Sequence, residues 1–304
     1  MGSPRRRAER ALTIERLPAP TLEPDLGHAS GGSKSYYTVT CTSLSVLRDT
    51  PAQDVFVVQD MRIVIIANGE PPTTHDVARW LREDCVLICA DGGASVALAL
   101  DLHPHHVVGD FDSLSDGELH VLAANGAQLH RHSPRKDETD LELALLVAAG
   151  MFTTEGTENT ETKRNLSFVF VPSVISVVQE VKEIMVLGAL GGRTDHMLAN
   201  MLLLAMPALK GIHVIIAHGN ERLFLIDARD AATSANIYAQ PGDRVSLIPF
   251  GDDALGVSTD GLEYPLRDES LFIGPARGIS NVMLGGKATV QLQQGMLLCV
   301  VATN

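Results

Sequence analysis

The chain is poor in the features that announce common chemistries. Its four cysteines (Cys41, Cys85, Cys89 and Cys299) keep no zinc-ligand or redox spacing. Cys85 and Cys89 flank an apolar run and read as small buried hydrophobes, so nothing demands an oxidising compartment. Aromatic residues make up only 4%, so large stacking surfaces are few and each one counts. Positive charge is short as well. A formal net charge of -13 excludes a protein that grips a nucleic-acid backbone, which needs a basic face. No apolar stretch is long and uninterrupted enough to span a membrane. Neither a Gly-x-x-x-x-Gly-Lys-Ser/Thr loop nor a Gly-x-Gly-x-x-Gly fingerprint occurs, so the two commonest nucleotide cradles are absent at the level of motif.

What remains is a chain of 304 residues, 45% of them hydrophobic, enough for one large domain or two ordinary ones. Residues 1–60 hold seven acidic and seven basic residues and no sustained periodicity. The whole negative charge therefore belongs to residues 61–304. Residues 1–60 read as a disordered extension. Its early arginines allow an organelle-targeting segment as an alternative, which Glu9, Glu15, Glu23 and Asp25 argue against. A cytoplasmic protein is expected.

From 61 to 210, apolar β-type runs at 62–67, 86–90, 107–109 and 184–188, and a less distinct one at 168–171, alternate with helical patterns at 74–82, 93–100, 115–124, 139–149 and 195–206. That alternation predicts an α/β domain, a mainly parallel sheet with flanking helices. A polar, turn-rich insertion near 151–167 interrupts it. After 211, short strand-like runs at 213–217, 222–226, 245–249, 256–258, 288–292 and 296–302 follow one another. Gly219-Asn220, Pro241-Gly242-Asp243 and Gly285-Gly286 supply the turns. An all-β sandwich over 211–304 is expected.

Four polar clusters each follow an apolar run. They are Asn68-Gly69, Asp91-Gly92-Gly93, Gly109-Asp110-Phe111-Asp112-Ser113, and Gly188 to Asp195. In a parallel sheet the carboxyl ends of the strands line one crevice, where ligands bind. Asp110 and Asp112 are two apart, and extended backbone would aim both carboxylates to one side. Such a pair calls for a hard cation such as Mg²⁺; an Asx-type turn with solvated carboxylates is the alternative. In Lys136-Asp137-Glu138-Thr139-Asp140, Asp137 or Thr139 can cap the helix that follows. The functional reading gives Asp140 to the metal and sets Lys136, Asp137 and Thr139 near phosphates. Gly191-Gly192-Arg193-Thr194-Asp195-His196 also precedes a helix. Its glycines permit close approach of a phosphate, Arg193 supplies a fixed positive fork, and Thr194 or Asp195 can cap. His196 reads as structural.

Taken in order, Asp91-Gly92-Gly93-Ala94, Gly109-Asp110-Phe111-Asp112-Ser113, Lys136 to Asp140, Gly191 to His196, Gly261-Leu262-Glu263-Tyr264-Pro265-Leu266 and Ile279-Ser280-Asn281 resemble the motifs of thiamine pyrophosphokinases. The resemblance covers residues 61–304. It implies a homodimeric enzyme that moves pyrophosphate from ATP to the thiamine hydroxyl with Mg²⁺ held by Asp110, Asp112 and Asp140. Asp91, Asp137, Arg193 and Asp195 would serve catalysis, with Asp91 or Asp137 as base. Asn68, Gly92, Gly93, Lys136, Thr139 and Gly192 would surround ATP. Tyr264, Ser280 and Asn281 would face thiamine from the partner subunit. Some relatives carry Trp where this chain has Tyr264. Two alternatives stay open: another hydroxymethyl heterocycle such as a pterin as acceptor, and a sensor that binds without turnover.

Overall fold

The computed structural model describes residues 14–15, 37–39, 55–82, 85–150 and 175–304. The extension expected over 1–60, apart from its strands, the insertion over 151–167 and the run at 168–171 lie outside them. The elements in chain order are β1 (Ile14–Glu15), β2 (Tyr37–Val39), β3 (Val55–Ile66), α1 (Thr74–Trp80), β4 (Val86–Ala90), α2 (Gly93–Ala99), β5 (His106–Gly109), α3 (Asp116–Ala124), β6 (Gln128–Arg131), α4 (Asp140–Gly150), β7 (Ile175–Leu187) and α5 (Thr194–Leu203). A short 3₁₀ turn, Pro207–Leu209, leads into β8 (His213–His218), β9 (Glu221–Asp227), β10 (Thr233–Tyr238), β11 (Arg244–Pro249), β12 (Ala254–Asp260), β13 (Glu269–Leu271), β14 (Asn281–Val282), β15 (Lys287–Leu292) and β16 (Met296–Ala302).

Two compact units result. The first comprises residues 1–61 and 151–180; within it β1 pairs antiparallel with β2, and β2 with the first half of β3. The second comprises residues 62–150 and 181–304. Its larger sheet runs in the order β14-β11-β16-β9-β8-β7-β3-β4-β5-β6. Strands β3, β4, β5 and β6 pair parallel, as do β7 and β8, while every pairing from β8 to β14 is antiparallel. A second, antiparallel sheet has the order β10-β15-β12-β13.

The fold class is thus the expected one, a mainly parallel α/β region followed by an antiparallel β-sandwich. The sheet itself does not stop at residue 210. The Gly219-Asn220 turn, with Gly219 at φ +55°, folds β9 back on β8 by a two-residue loop, and glycine first is a preferred pattern for such hairpins. One layer of the sandwich is therefore a continuation of the parallel sheet. Ile63, Ile65, Ile88, Ile184 and Ile216 are all sealed from solvent in it, and strands buried on both faces need no alternation. Cys89 and Cys299 are free and buried, and Cys85 is buried as well.

The helices start where side chains can satisfy their first N–H groups. Thr73 with Asp76 and Ser115 with Glu118 form reciprocal caps at α1 and α3. The Oγ1 of Thr139 accepts from the Glu142 N–H at 3.2 Å at the head of α4. At α5 neither Thr194 nor Asp195 is the cap. Arg193 occupies that position and makes no capping bond.

Candidate active site

The loops after β7, β3, β4 and β5 touch in a row along one sheet edge. Gly69 donates its N–H to the Gly188 carbonyl at 2.7 Å, and Glu70 to that of Leu190 at 2.9 Å. Asn68 lies over Gly92 so closely that a Cβ there would stand 2.5 Å from its amide carbon. A Cβ on Gly109 would meet Asp91 Cβ at 3.0 Å and Asp140 Oδ1 at 3.2 Å. Bare backbone at Gly109 is what lets the two carboxylates approach from different elements.

Asp91, Asp110 and Asp112 each offer a carboxylate oxygen within 4.8 Å of the others. Asp91 is only 4% exposed and holds a positive φ of +41°, which for a residue other than glycine is uncommon. Its Oδ1 is buried without a hydrogen-bond partner. Burial pushes its carboxyl pKa up, and the carboxylates of Asp140 and Asp112 push the same way against hydrogen bonds from Ser113 and the Gly92 N–H. Asp140 lies beside this trio with its Oδ1 in an ion pair with Lys136 Nζ, four residues earlier in the loop before α4.

The Asp-Phe-Asp segment is not extended. Phe111 sits at φ +68°, and the Asp112 N–H donates to Asp110 Oδ1 at 3.2 Å. The Asx-type turn is therefore real, and it gathers the carboxylates instead of dispersing them. Two residues that sequence reasoning passed over hold it. Arg131, on β6, lays its guanidinium 4.7 Å from the Phe111 ring centroid and donates to the Asp110 carbonyl at 3.1 Å. Ser113 Oγ donates to Asp112 Oδ1 at 3.2 Å. No local signal marks Arg131, since it reaches the turn through strand pairing.

Gly192 follows the same row of loops, with φ +73°. Arg193 faces Asp195 instead of the acidic trio. Its Nε and Nη2 donate to Asp195 Oδ1 and Oδ2 at 3.1 and 2.6 Å, and each group holds the other in its charged form. Both are exposed, as are Asp137 and Thr139. His196 is exposed too and donates its N–H to Asp195 Oδ1.

Tyr264, Ser280 and Asn281 gather in the sandwich region, where no hydrogen bond or ion pair among the described residues joins them to the carboxylates. Tyr264 is 61% exposed and Asn281 is 5% exposed. Asn281 Nδ2 donates to the Tyr264 carbonyl at 2.7 Å, and its Oδ1 accepts from the Tyr264 N–H at 3.0 Å. Ser280, at φ +57°, donates its N–H to Ser246 Oγ at 3.0 Å.

A buried carboxylate oxygen with no donor, at the centre of three converging acids, is costly unless a cation or proton meets it. The all-oxygen donor set fits a hard divalent ion such as Mg²⁺. Asp91 enters that group with Asp110 and Asp112, and Asp140 stands next to it, engaged by Lys136.

Two family models match the chain. Residues 77–216 match "Thiamin pyrophosphokinase, catalytic domain" and residues 235–297 match "Thiamin pyrophosphokinase, vitamin B1 binding domain". Thiamine pyrophosphokinase of Bacillus subtilis (strain 168) is 26% identical over 248 residues, which is 80% of this chain and 99% of that protein. Thiamine pyrophosphokinase 1 of Oryza sativa subsp. japonica is 25% identical over 211 residues, 64% of this chain and 71% of that protein. The crystal structure of the Bacillus subtilis protein superposes with a TM-score of 0.63 at 24% identity, covering 80% of this chain and 99% of that one. Thiamin pyrophosphokinase from Candida albicans gives 0.62 at 17% identity, with coverage of 86% and 96%. These two superpositions bear on the fold.

Proposed function

The chain belongs to the thiamin pyrophosphokinase family, and from that premise we propose that it transfers the β,γ-pyrophosphoryl group of ATP to the hydroxyl of thiamine, releasing thiamine diphosphate and AMP. The observation that carries the site assignment is the convergence of Asp91, Asp110 and Asp112 around an unpartnered buried oxygen, inside the segment that matches the catalytic-domain model. In this reading residues 61–210 handle ATP and 211–304 handle thiamine.

Asp91, Asp110 and Asp112 would hold Mg²⁺, with Asp140 beside them as a further carboxylate, and Lys136, now paired with Asp140, would serve the phosphates. When bound, the ion neutralises charge on phosphate oxygens and on the leaving AMP. The thiamine oxygen attacks the β-phosphorus, and the bond from that phosphorus to the oxygen of the α-phosphate breaks. With Asp91 occupied in the carboxylate group, exposed Asp137 accepts the hydroxyl proton. Arg193, whose side chain is tied among the described residues to its neighbour Asp195, swings to the phosphates as a two-pronged donor. Asn68, Gly92, Gly93, Thr139 and Gly192 shape the nucleotide-side wall. Little covalent catalysis is needed, because positioning and charge neutralisation dominate such transfers.

Tyr264 stacks on the cationic ring of thiamine, beside Ser280. We take the enzyme to be a homodimer in which this face meets the carboxylate edge of the partner. The exposure of Tyr264, Phe272, Ile273, Ile279 and Leu284 supports that arrangement. Cytoplasmic residence belongs to the same reading and is supported by the free thiols of Cys89 and Cys299.

The test is AMP release from the full chain with ATP and Mg²⁺, with and without thiamine. AMP formation that needs thiamine and stops on chelation is expected. Thiamine binding without AMP would make the protein a sensor, and inertness toward thiamine would turn the search to other hydroxymethyl heterocycles. Asp112→Asn, at an exposed position, should fold normally and lose at least about 10²-fold in turnover, the scale for removing one fixed electrostatic stabiliser.

A further inference from the structure

We propose that the pocket formed by Arg79 and Arg222 is a binding site for a small oxyanion of the phosphate class, separate from the carboxylate edge. The pocket has a volume of about 290 Å³, and Tyr238, Gln240, Asp243 and Thr303 complete its polar lining. In the larger sheet β9, which carries Arg222, is four strand spacings from β4, which leads into Asp91. At about 4.8 Å each, that is roughly 19 Å.

The charge in this pocket is unusual for the chain. Acidic residues outnumber basic ones by 37 to 24, yet two guanidinium groups face one cavity and no carboxylate forms an ion pair with either among the described residues. Arg222 is half-buried. Its Nη2 donates to the Tyr238 carbonyl, and among the described residues no other side-chain hydrogen bond of its five donors is found. Burial first, and then the nearby charge of Arg79, weaken its hold on its proton against the opposing pull of Cys299 and Asp243.

Asp243 is the one acid of the lining, and its carboxylate is already engaged. Oδ2 accepts from the Gln240 N–H at 2.8 Å and Oδ1 from the Asn304 N–H at 3.2 Å. The pocket keeps a net positive charge. Tyr238, Gln240 and Thr303 add neutral polar residues to the wall. A phosphate dianion presents enough oxygens to receive two guanidinium forks and a hydroxyl at once, whereas a carboxylate presents two. The volume lies at the small end for ligand sites, which suits a free phosphate or a small phosphomonoester and excludes a whole nucleotide.

The chain contains a single tryptophan, and it reports on this pocket. The Arg79 guanidinium carbon stands 4.8 Å from the Trp80 ring centroid, so an anion that draws Arg79 inward alters the indole fluorescence. Inorganic phosphate is titrated into the full chain in EDTA at constant ionic strength, with chloride as the control. A saturable change in Trp80 emission that chloride does not produce is expected. Apparent affinity should fall about tenfold in Arg222→Gln, the scale of one lost charge-assisted hydrogen bond, and remain unchanged in Asp112→Asn. A parallel titration with glycerol phosphate separates the two sources, tighter binding assigning the ester. Should Arg222→Gln fail to fold, equilibrium dialysis of labelled phosphate against Arg79→Gln, altered at an exposed helix position, gives the same comparison. No saturable response, an equal response to chloride, or unchanged affinity in the arginine variants would overturn the site.

Discussion

Asn281 holds Tyr264 by both ends of its peptide unit, donating to its carbonyl at 2.7 Å and accepting from its N–H at 3.0 Å. The amide is buried and has little left to offer a ligand, so Asn281 positions the ring that the proposed function sets against thiamine. Asn281→Ala should cost roughly 1–3 kcal/mol of stability, because backbone groups at Tyr264 lose their partner. It should also raise KM for thiamine with kcat nearly kept. Tyr264→Trp should lower that KM a few-fold, since indole is the stronger cation–π partner. Steady-state kinetics and urea unfolding check both variants, and a kcat collapse in Asn281→Ala would mean a direct role.

Arg131 braces the Asp110–Asp112 turn from the neighbouring strand through the Phe111 ring and the Asp110 carbonyl. Arg131→Leu should lower turnover by about 10–100-fold, the scale for loss of a support behind metal ligands, which the proposed function makes of these carboxylates. Being exposed, it should leave the melting temperature almost unmoved. Weakened activation by Mg²⁺, read as a higher concentration for half-maximal rate, marks the effect as positioning.

Asp91 is a carboxylate that the metal-free fold resists. Its folded pKa lies above the ordinary value, so the native state binds more protons than the unfolded chain and stability from this group falls as pH rises. Asp91→Asn should therefore stabilise the protein in EDTA at neutral pH by about 1 kcal/mol, or roughly 2–4 °C in Tm. The gap should close as pH falls into the usual carboxylate range. Added Mg²⁺ should raise the Tm of the wild type and not that of the variant. Calorimetry across pH decides it.

His106 and His130 meet across β5 and β6, Nδ1 to Nε2 at 3.0 Å. Burial first, then His130 and His105, lower the His106 pKa to about 4. The unfolded chain binds this proton near pH 6.5 and the native state does not, so stability is lost as pH drops from about 6.5 toward 4. The loss is at most roughly 3 kcal/mol. His106→Gln should flatten that part of the profile in urea titrations. An unchanged slope would mean that the ring titrates alike in both states.

Much of this molecule is legible in its sequence for a physical reason. Strand β4 was readable to the residue because Val86–Ala90 is a continuous apolar run closed by Asp91-Gly92. The heads of α3 and α4 follow from Ser115 and Thr139 as caps. By contrast β6 (Gln128–Arg131) and β10 (Thr233–Tyr238) are largely polar strands whose pairing partners, not their own pattern, make them extended. The acids were found, but the place of Asp91 among them was not, because it depends on a positive φ and on the missing side chain of Gly109. Arg193 was expected at the phosphates, and in the structure it rests on Asp195.

The uninterrupted sheet from β6 to β14 makes the chain hard to divide. A gene cut near residue 210 would leave β7 on one fragment and β8 on the other, each a bare hydrophobic edge open to wrong partners. Insertions and fusions are better tolerated at loop tips such as Gly285-Gly286, and the parallel and antiparallel parts of the sheet must be inherited as one piece.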